Sequence, residues 1–235
     1  MFEAVIFDWD ETLADTKRVI VLSFQKVLKT IGCKVSDEFI ERRIGIGSRK
    51  LFKEALKAAG LPFDDKMVEN LVEKKISVQA ELTGEVELFD GAVDLLEALQ
   101  GRVKIALATM SNRKTIDKIL REKRVRKYFD LVITEDEVSQ PKPNPEIFLK
   151  CAAELGCRVQ RCVVIEDSIF GVKAAKEAGM KCIAIPSGAY SAEELRREGA
   201  DLIVDSIKEK ERILSFIFGE AGSSDRKRKS GFMGV

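Results

Sequence analysis

Phe2-Glu3-Ala4-Val5-Ile6-Phe7-Asp8-Trp9-Asp10-Glu11-Thr12 is the stretch on which the reading of this chain turns. A short apolar run ends in an acidic turn, the pattern of a central parallel strand buried on both faces. In open α/β sheets the carboxyl ends of the strands border the crevice where ligands sit. Asp8 and Asp10 therefore fall where chemistry is done, close enough to repel unless a cation or a proton separates them.

Working outward, the runs 103–109, 131–134, 162–166, 182–185 and 202–204 read as further short buried strands. Helical stripes lie between them, among them Leu95, Leu96 and Leu99, then Ile147, Phe148, Cys151 and Leu155. Strands alternating with helices imply a doubly wound parallel sheet with right-handed crossovers. Directly after the first strand, residues 16–83 look wholly helical instead. Ile20, Phe24, Val27 and Leu28 form one stripe there, and Leu51, Phe52, Ala55 and Leu56 another. The expected fold is α/β, with residues 1–15 and 84–220 forming the doubly wound core and 16–83 an inserted helical cap. The last helix is expected to hold Ile207, Ile213, Leu214, Phe216 and Ile217. A basic tail, 221–235, follows with Arg226-Lys227-Arg228-Lys229 in a Ser/Gly-rich setting, the pattern of a frayed end.

Composition removes whole classes of function. Among 235 residues, 40 Lys and Arg face 39 Asp and Glu, which gives no argument for nucleic acid or an acidic membrane as partner. No apolar stretch approaches the roughly 18 residues of a spanning helix, and the N-terminus lacks a signal-peptide layout, so a cytoplasmic protein is expected. The chain has no histidine. That excludes Ser-His hydrolases, histidine phosphatases and histidine-ligated zinc enzymes. Acid–base work then falls to carboxylates, lysine, cysteine, tyrosine or metal-bound water. The cysteines form no CxxC pair, and Cys162 and Cys182, which begin apolar runs, read as small buried residues.

Three more polar features follow strands. Thr109 precedes Ser111 and Asn112, a hydroxyl and a cap beside a helix N-terminus, which suits an anion such as phosphate. Lys142 sits among Pro141, Pro143 and Pro145, which stiffen the backbone around a fixed positive charge. Glu166-Asp167-Ser168 closes an apolar run, and adjacent acids there call for a hard divalent cation such as Mg²⁺. Singly, each also reads as a strand end, a rigid loop or a helix cap. Gathered at the carboxyl ends of parallel strands, they describe metal-assisted phosphoryl transfer. No glycine-rich Walker loop is present.

In this order the features resemble the signatures of the haloacid dehalogenase superfamily: Asp8-x-Asp10-x-Thr12, Thr109, Lys142 with Pro143-x-Pro145, and Glu166-Asp167-Ser168. The runs 142–148 and 165–175 are similar to its phosphoglycolate phosphatase and β-phosphoglucomutase branch, and the helical insert resembles that branch's cap. The resemblance implies that Asp8 is the nucleophile forming an aspartyl-phosphate and Asp10 the acid–base. It implies that Thr109 binds the transferring group and Lys142 offsets its charge. Mg²⁺ would be held by Asp8, the Asp10 carbonyl and Asp167, with Glu166 behind them or acting through water. The substrate would be a small phosphomonoester, a sugar phosphate or phosphoglycolate-like molecule, met by Thr109, Ser111, Asn112 and Lys142. Arg49 would meet it from the cap, where Arg42, Arg43, Ser48 and Lys50 flank the same glycine turn.

Two departures bear on function. Glu11 stands where the superfamily usually has glycine, and is expected to crowd or repel an anionic substrate. Mutases of the branch use a cap histidine, absent here. A phosphatase is therefore expected, with a phosphomutase the alternative and a phospho-aspartyl signalling receiver or a dehalogenase fitting less well. The sequence leaves the oligomeric state open, and a monomer is compatible with it.

Overall fold

In the computed structural model, which describes residues 1–219, the opening apolar run forms strand β1 (Ala4–Phe7), buried throughout. The tail 221–235 with its basic run lies outside the described residues. A two-residue strand, β2 (Ala14–Asp15), leads to helices α1 (Lys17–Lys29), α2 (Asp37–Glu41), α3 (Ser48–Ala58) and α4 (Asp65–Glu81), and β3 (Glu87–Leu88) follows them. The chain then alternates: α5 (Ala92–Leu99), β4 (Lys104–Ala108), α6 (Arg113–Glu122), β5 (Leu131–Ile133), α7 (Glu146–Leu155) and β6 (Cys162–Glu166). It ends α8 (Ile169–Glu177), β7 (Lys181–Ala184), α9 (Ala192–Arg197), β8 (Leu202–Ile203) and α10 (Lys210–Phe218).

The sheet runs β5-β4-β1-β6-β7-β8, parallel throughout. β1 lies between β4 and β6, with Phe7 opposite both Leu107 and Ile165. The residues leaving these three strands, Asp8, Thr109 and Glu166-Asp167, therefore emerge side by side at the carboxyl edge.

Both faces of the sheet are covered, as a parallel sheet requires. Val5, Phe7, Ile105, Leu107, Val163 and Ile165 point to one face, packed with Leu95, Leu99, Ile116 and Ile213. Ala4, Ile6, Ala106, Ala108, Cys162 and Val164 point to the other, against Phe148, Cys151, Val172 and Ala175. The small side chains on this second face let α7 and α8 approach closely. The described cysteines are all free, and Cys162 and Cys182 lie buried here, as expected.

The four helices of the insert share a separate apolar core built from Ile20, Phe24, Leu28, Leu51, Phe52 and Leu71. Two details depart from expectation. The antiparallel pairing of β2 with β3, where the chain leaves for the insert and returns, was not foreseen, because two-residue strands carry no periodicity. Ile207 is buried but precedes α10 rather than belonging to it. No helix among the described residues is long and apolar enough to cross a membrane.

Candidate active site

β1 delivers Asp8 to the crevice with its N–H bonded to the Ile165 carbonyl, 3.0 Å. The stiff loop before α7 sends Lys142 inward until its side chain is fully buried. Its ammonium donates to Asp8 Oδ1 at 2.6 Å, Glu166 Oε1 at 2.7 Å and the Ala108 carbonyl at 3.2 Å. Burial alone would lower the Lys142 pKa, but attraction from Asp8 and then Glu166 outweighs it and holds the group charged.

Glu166 is spoken for on both oxygens. Besides Lys142, it accepts from the Asp167 N–H, 3.0 Å, the Ser168 N–H, 3.1 Å, and the Ser168 hydroxyl, 3.0 Å. Ser168 Oγ in turn accepts from the Gly171 N–H and so caps α8. A Cβ at Gly171 would stand 1.8 Å from the Glu166 carboxyl carbon, so only glycine leaves this carboxylate its seat.

Carboxylate oxygens of Asp8, Glu166 and Asp167 all lie within 4.8 Å of one another. Burial first, then repulsion among these acids, pushes Asp8 and Asp167 well above the usual carboxylate range, even against Lys142. Three hard oxygen donors sharing one ammonium are short of positive charge, which is the donor set a divalent cation suits. Asp10 does not join that cluster with its side chain. Its Oδ2 accepts from Ser111 Oγ at 2.9 Å, while its Oδ1 is buried with no partner. Burial raises its pKa, against the lowering influence of the Ser111 and then the Thr16 hydroxyl, the latter close by but outside hydrogen-bond geometry. A buried carboxyl with one open oxygen and a reluctance to ionise is equipped to hold a proton.

Thr109 is fully buried, and its Oγ1 accepts from the Ser111 N–H at 3.0 Å, leaving the hydroxyl proton free to donate. Asn112 caps α6 through its side-chain oxygen and gives its amide to Asp136. Arg49 is exposed and pairs with Glu69 on the rim of a cleft of about 1040 Å³ between insert and core. That cleft is lined by none of Asp8, Asp10, Glu166 or Asp167. The neighbouring cations are likewise engaged, Arg42 by Glu194 and the Ala189 carbonyl, Arg43 by Glu54.

The Glu11 carboxylate turns to the start of α1 and accepts from the Thr16 and Lys17 N–H groups at 2.9 and 2.8 Å. It thus acts as an anion at a helix N-terminus, while its charge still repels Asp167. Glu11 is also one of the few non-glycine residues with a left-handed backbone, φ 58°.

Lys75 of α4 was missed. It is buried, donates to Ser48 Oγ at 3.2 Å and lies over the Phe24 ring. Burial lowers its pKa, opposed by Glu135 and then Asp10. Half-buried Glu135, also missed, accepts from the Ser48 N–H at 3.4 Å across the insert–core boundary. Lys75, Asp10 and Ser111 line one small cavity of about 20 Å³. The only sequence signal was a lysine on the side of α4 shared with Leu71, at a spacing of four, which is an ordinary amphipathic position.

The sequence model of a family described as haloacid dehalogenase-like hydrolase matches residues 5–185. A phosphorylated carbohydrates phosphatase of Thermotoga maritima is 32% identical over 183 residues, 77% of this chain and 83% of that protein. A hydrolase from Pseudomonas syringae of solved structure superposes with a TM-score of 0.85 at 28% identity, covering 92% of this chain and 99% of the other. A β-phosphoglucomutase from Clostridium difficile gives 0.83 at 26%, covering 92% and 96%.

Proposed function

The chain belongs to the haloacid dehalogenase-like hydrolases, and on that premise we propose that it is a Mg²⁺-dependent phosphatase working through an aspartyl-phosphate. Its substrate is a small phosphomonoester, a sugar phosphate or a phosphoglycolate-like molecule. The likeness to a phosphorylated carbohydrates phosphatase supports the sugar side of that choice. One observation carries the reading: Asp8 is held by Lys142 beside Glu166 and Asp167, and close enough to Asp10 for the two carboxylates to repel.

Asp8 attacks phosphorus and the bond to the ester oxygen breaks, while Asp10 gives its proton to that leaving oxygen. Asp10, now ionised, takes a proton from water as the water attacks the phosphorus of the aspartyl-phosphate. Inorganic phosphate leaves and Asp8 is restored. Lys142 cancels charge between nucleophile and phosphate, and the Thr109 hydroxyl binds the transferring group together with Ser111. Asp8, Asp167 and the Asp10 carbonyl would hold Mg²⁺, with Glu166 behind them, and the ion would supply the positive charge that lets a carboxylate approach a phosphate. The helical insert acts as a cap that excludes water, with Lys75 its main contact to substrate and Asn112 and Arg49 at the margin.

Asp8→Asn, or chelation of metal, is expected to abolish release of inorganic phosphate from p-nitrophenyl phosphate. Undiminished turnover after either would overturn the covalent scheme. Likeness to a β-phosphoglucomutase favours a mutase as second reading, but the chain has no histidine. Net phosphate release with no bisphosphorylated activator present separates the two.

A further inference from the structure

Three acids gather at the proposed metal site, Asp8 and Asp167 as ligands and Glu166 behind them, and they are not equally anchored. Asp8 is clamped by Lys142, and Glu166 accepts from Lys142, the Asp167 and Ser168 N–H groups and the Ser168 hydroxyl. Asp167 has only the Thr12 hydroxyl on Oδ1, at a long 3.5 Å. What limits its other oxygen is steric. A Cβ built at Gly188 would fall 2.0 Å from Asp167 Oδ2. Gly188 does not need to be glycine for its backbone, because its φ lies outside the left-handed region.

The loop carrying Gly188 is tied down on both sides. Ser187 Oγ donates to the Glu11 carbonyl, next to Asp10. Arg42 of the insert donates to the Ala189 carbonyl at 3.2 Å, and the Tyr190 hydroxyl donates to the Arg42 carbonyl. A side chain added at Gly188 therefore meets an anchored loop on one side and a loosely held carboxylate on the other. The carboxylate gives way.

We propose that Gly188 is a positioning residue for the metal site: the hydrogen in place of its side chain is the seat of Asp167 Oδ2, and a methyl there turns Asp167 away from the cation. The effect should fall on metal affinity and spare the fold, since moving the far end of one aspartate costs little packing. This inference rests on the metal site of the proposed function, so its test measures metal without substrate.

Mn²⁺ titration followed by electron paramagnetic resonance compares the full-length wild type, Gly188→Ala and Asp167→Asn. Gly188→Ala is expected to weaken Mn²⁺ binding by about tenfold to a hundredfold, the range for groups that orient a ligand. Its thermal midpoint without metal should match that of Gly84→Ala, a glycine of ordinary φ with open space around its Cβ position. In an Asp167→Asn background, Gly188→Ala should add nothing further, because its route of action is already gone. Unchanged affinity in Gly188→Ala overturns the inference while the phosphatase reading stands. So does a collapse of the thermal midpoint, or full additivity with Asp167→Asn. A wild type that binds no Mn²⁺ would overturn both.

Discussion

Ion pairs in the core crevice and ion pairs on the helical insert look alike as contacts and differ entirely in setting. Lys142 and its two carboxylates are almost wholly removed from water. Arg43–Glu54, Arg49–Glu69 and Lys53–Asp65 on the insert have side chains that keep a quarter or more of their surface exposed. Exposed pairs contribute about 0–1 kcal/mol, whereas breaking a buried one strands a charge and costs about 3–5 kcal/mol. The crevice is thus a place where charge is committed, and the insert largely one where charge is solvated. Lys75 is the exception, a buried ammonium on the insert with a hydroxyl as its hydrogen-bond partner.

The largest effect should come from Lys142→Met. It leaves Asp8 and Glu166 facing each other without a cation, so loss of about 3–5 kcal/mol in urea denaturation is expected, together with loss of turnover. A variant as stable as the wild type in the absence of metal would break the contrast between the two regions.

Lys75→Met comes next and should separate recognition from stability. If Lys75 meets substrate as proposed, its removal costs about 1.5–3 kcal/mol of binding, or roughly ten- to a hundredfold in kcat/KM. The fold should not suffer, because burial already disfavours this ammonium. Its folded pKa is lowered, so the unfolded chain binds more protons between that value and the usual 10.5, and wild-type stability rises with pH across that window. Lys75→Met should lack the rise, which paired denaturation curves at neutral and alkaline pH would reveal. Arg49→Ala, by contrast, is expected to move stability by less than about 1 kcal/mol, since its pair with Glu69 is exposed. A large change in KM for Arg49→Ala would shift substrate recognition toward the outer cleft.

The same contrast explains what was legible in the sequence. Asp8, Thr109, Lys142 and Glu166-Asp167 could be found because each leaves a strand or a proline-stiffened loop, and a parallel sheet gathers strand ends into one crevice. Apolar runs and helical stripes likewise announced the sheet and the insert. Lys75 and Glu135 could not be found this way. They are brought near each other only through Ser48 at the start of α3, which accepts from Lys75 and donates its N–H to Glu135, and nothing local distinguishes either from a solvated charge. The β2–β3 ribbon was hidden because two residues are too few to show alternation. The seat of Glu11 was hidden for a related reason: its identity showed a charge but not the backbone twist that points it toward α1.

Glu11→Gly should have the smallest effect, and its sign should depend on pH. A left-handed backbone costs a side-chain-bearing residue about 1–2 kcal/mol, which glycine relieves. Against that, the variant loses two N–H acceptances at the start of α1, about 1 kcal/mol, and adds freedom to the unfolded chain, about 0.5–1 kcal/mol. These nearly cancel. What remains is titration: burial, partly opposed by the Thr16 and Lys17 N–H groups, raises the Glu11 pKa above its ordinary 4.5. The folded state then holds a proton that the unfolded chain releases, so the stability Glu11 contributes is complete below pH 4.5 and is lost as pH rises through the folded value. With chelator present, Glu11→Gly should therefore gain on the wild type in thermal midpoint between pH 4 and pH 7. A difference that runs the other way would mean that the charged carboxylate is worth more to α1 than its burial costs. The helix N-terminus, rather than the strained turn, would then account for a glutamate at this position.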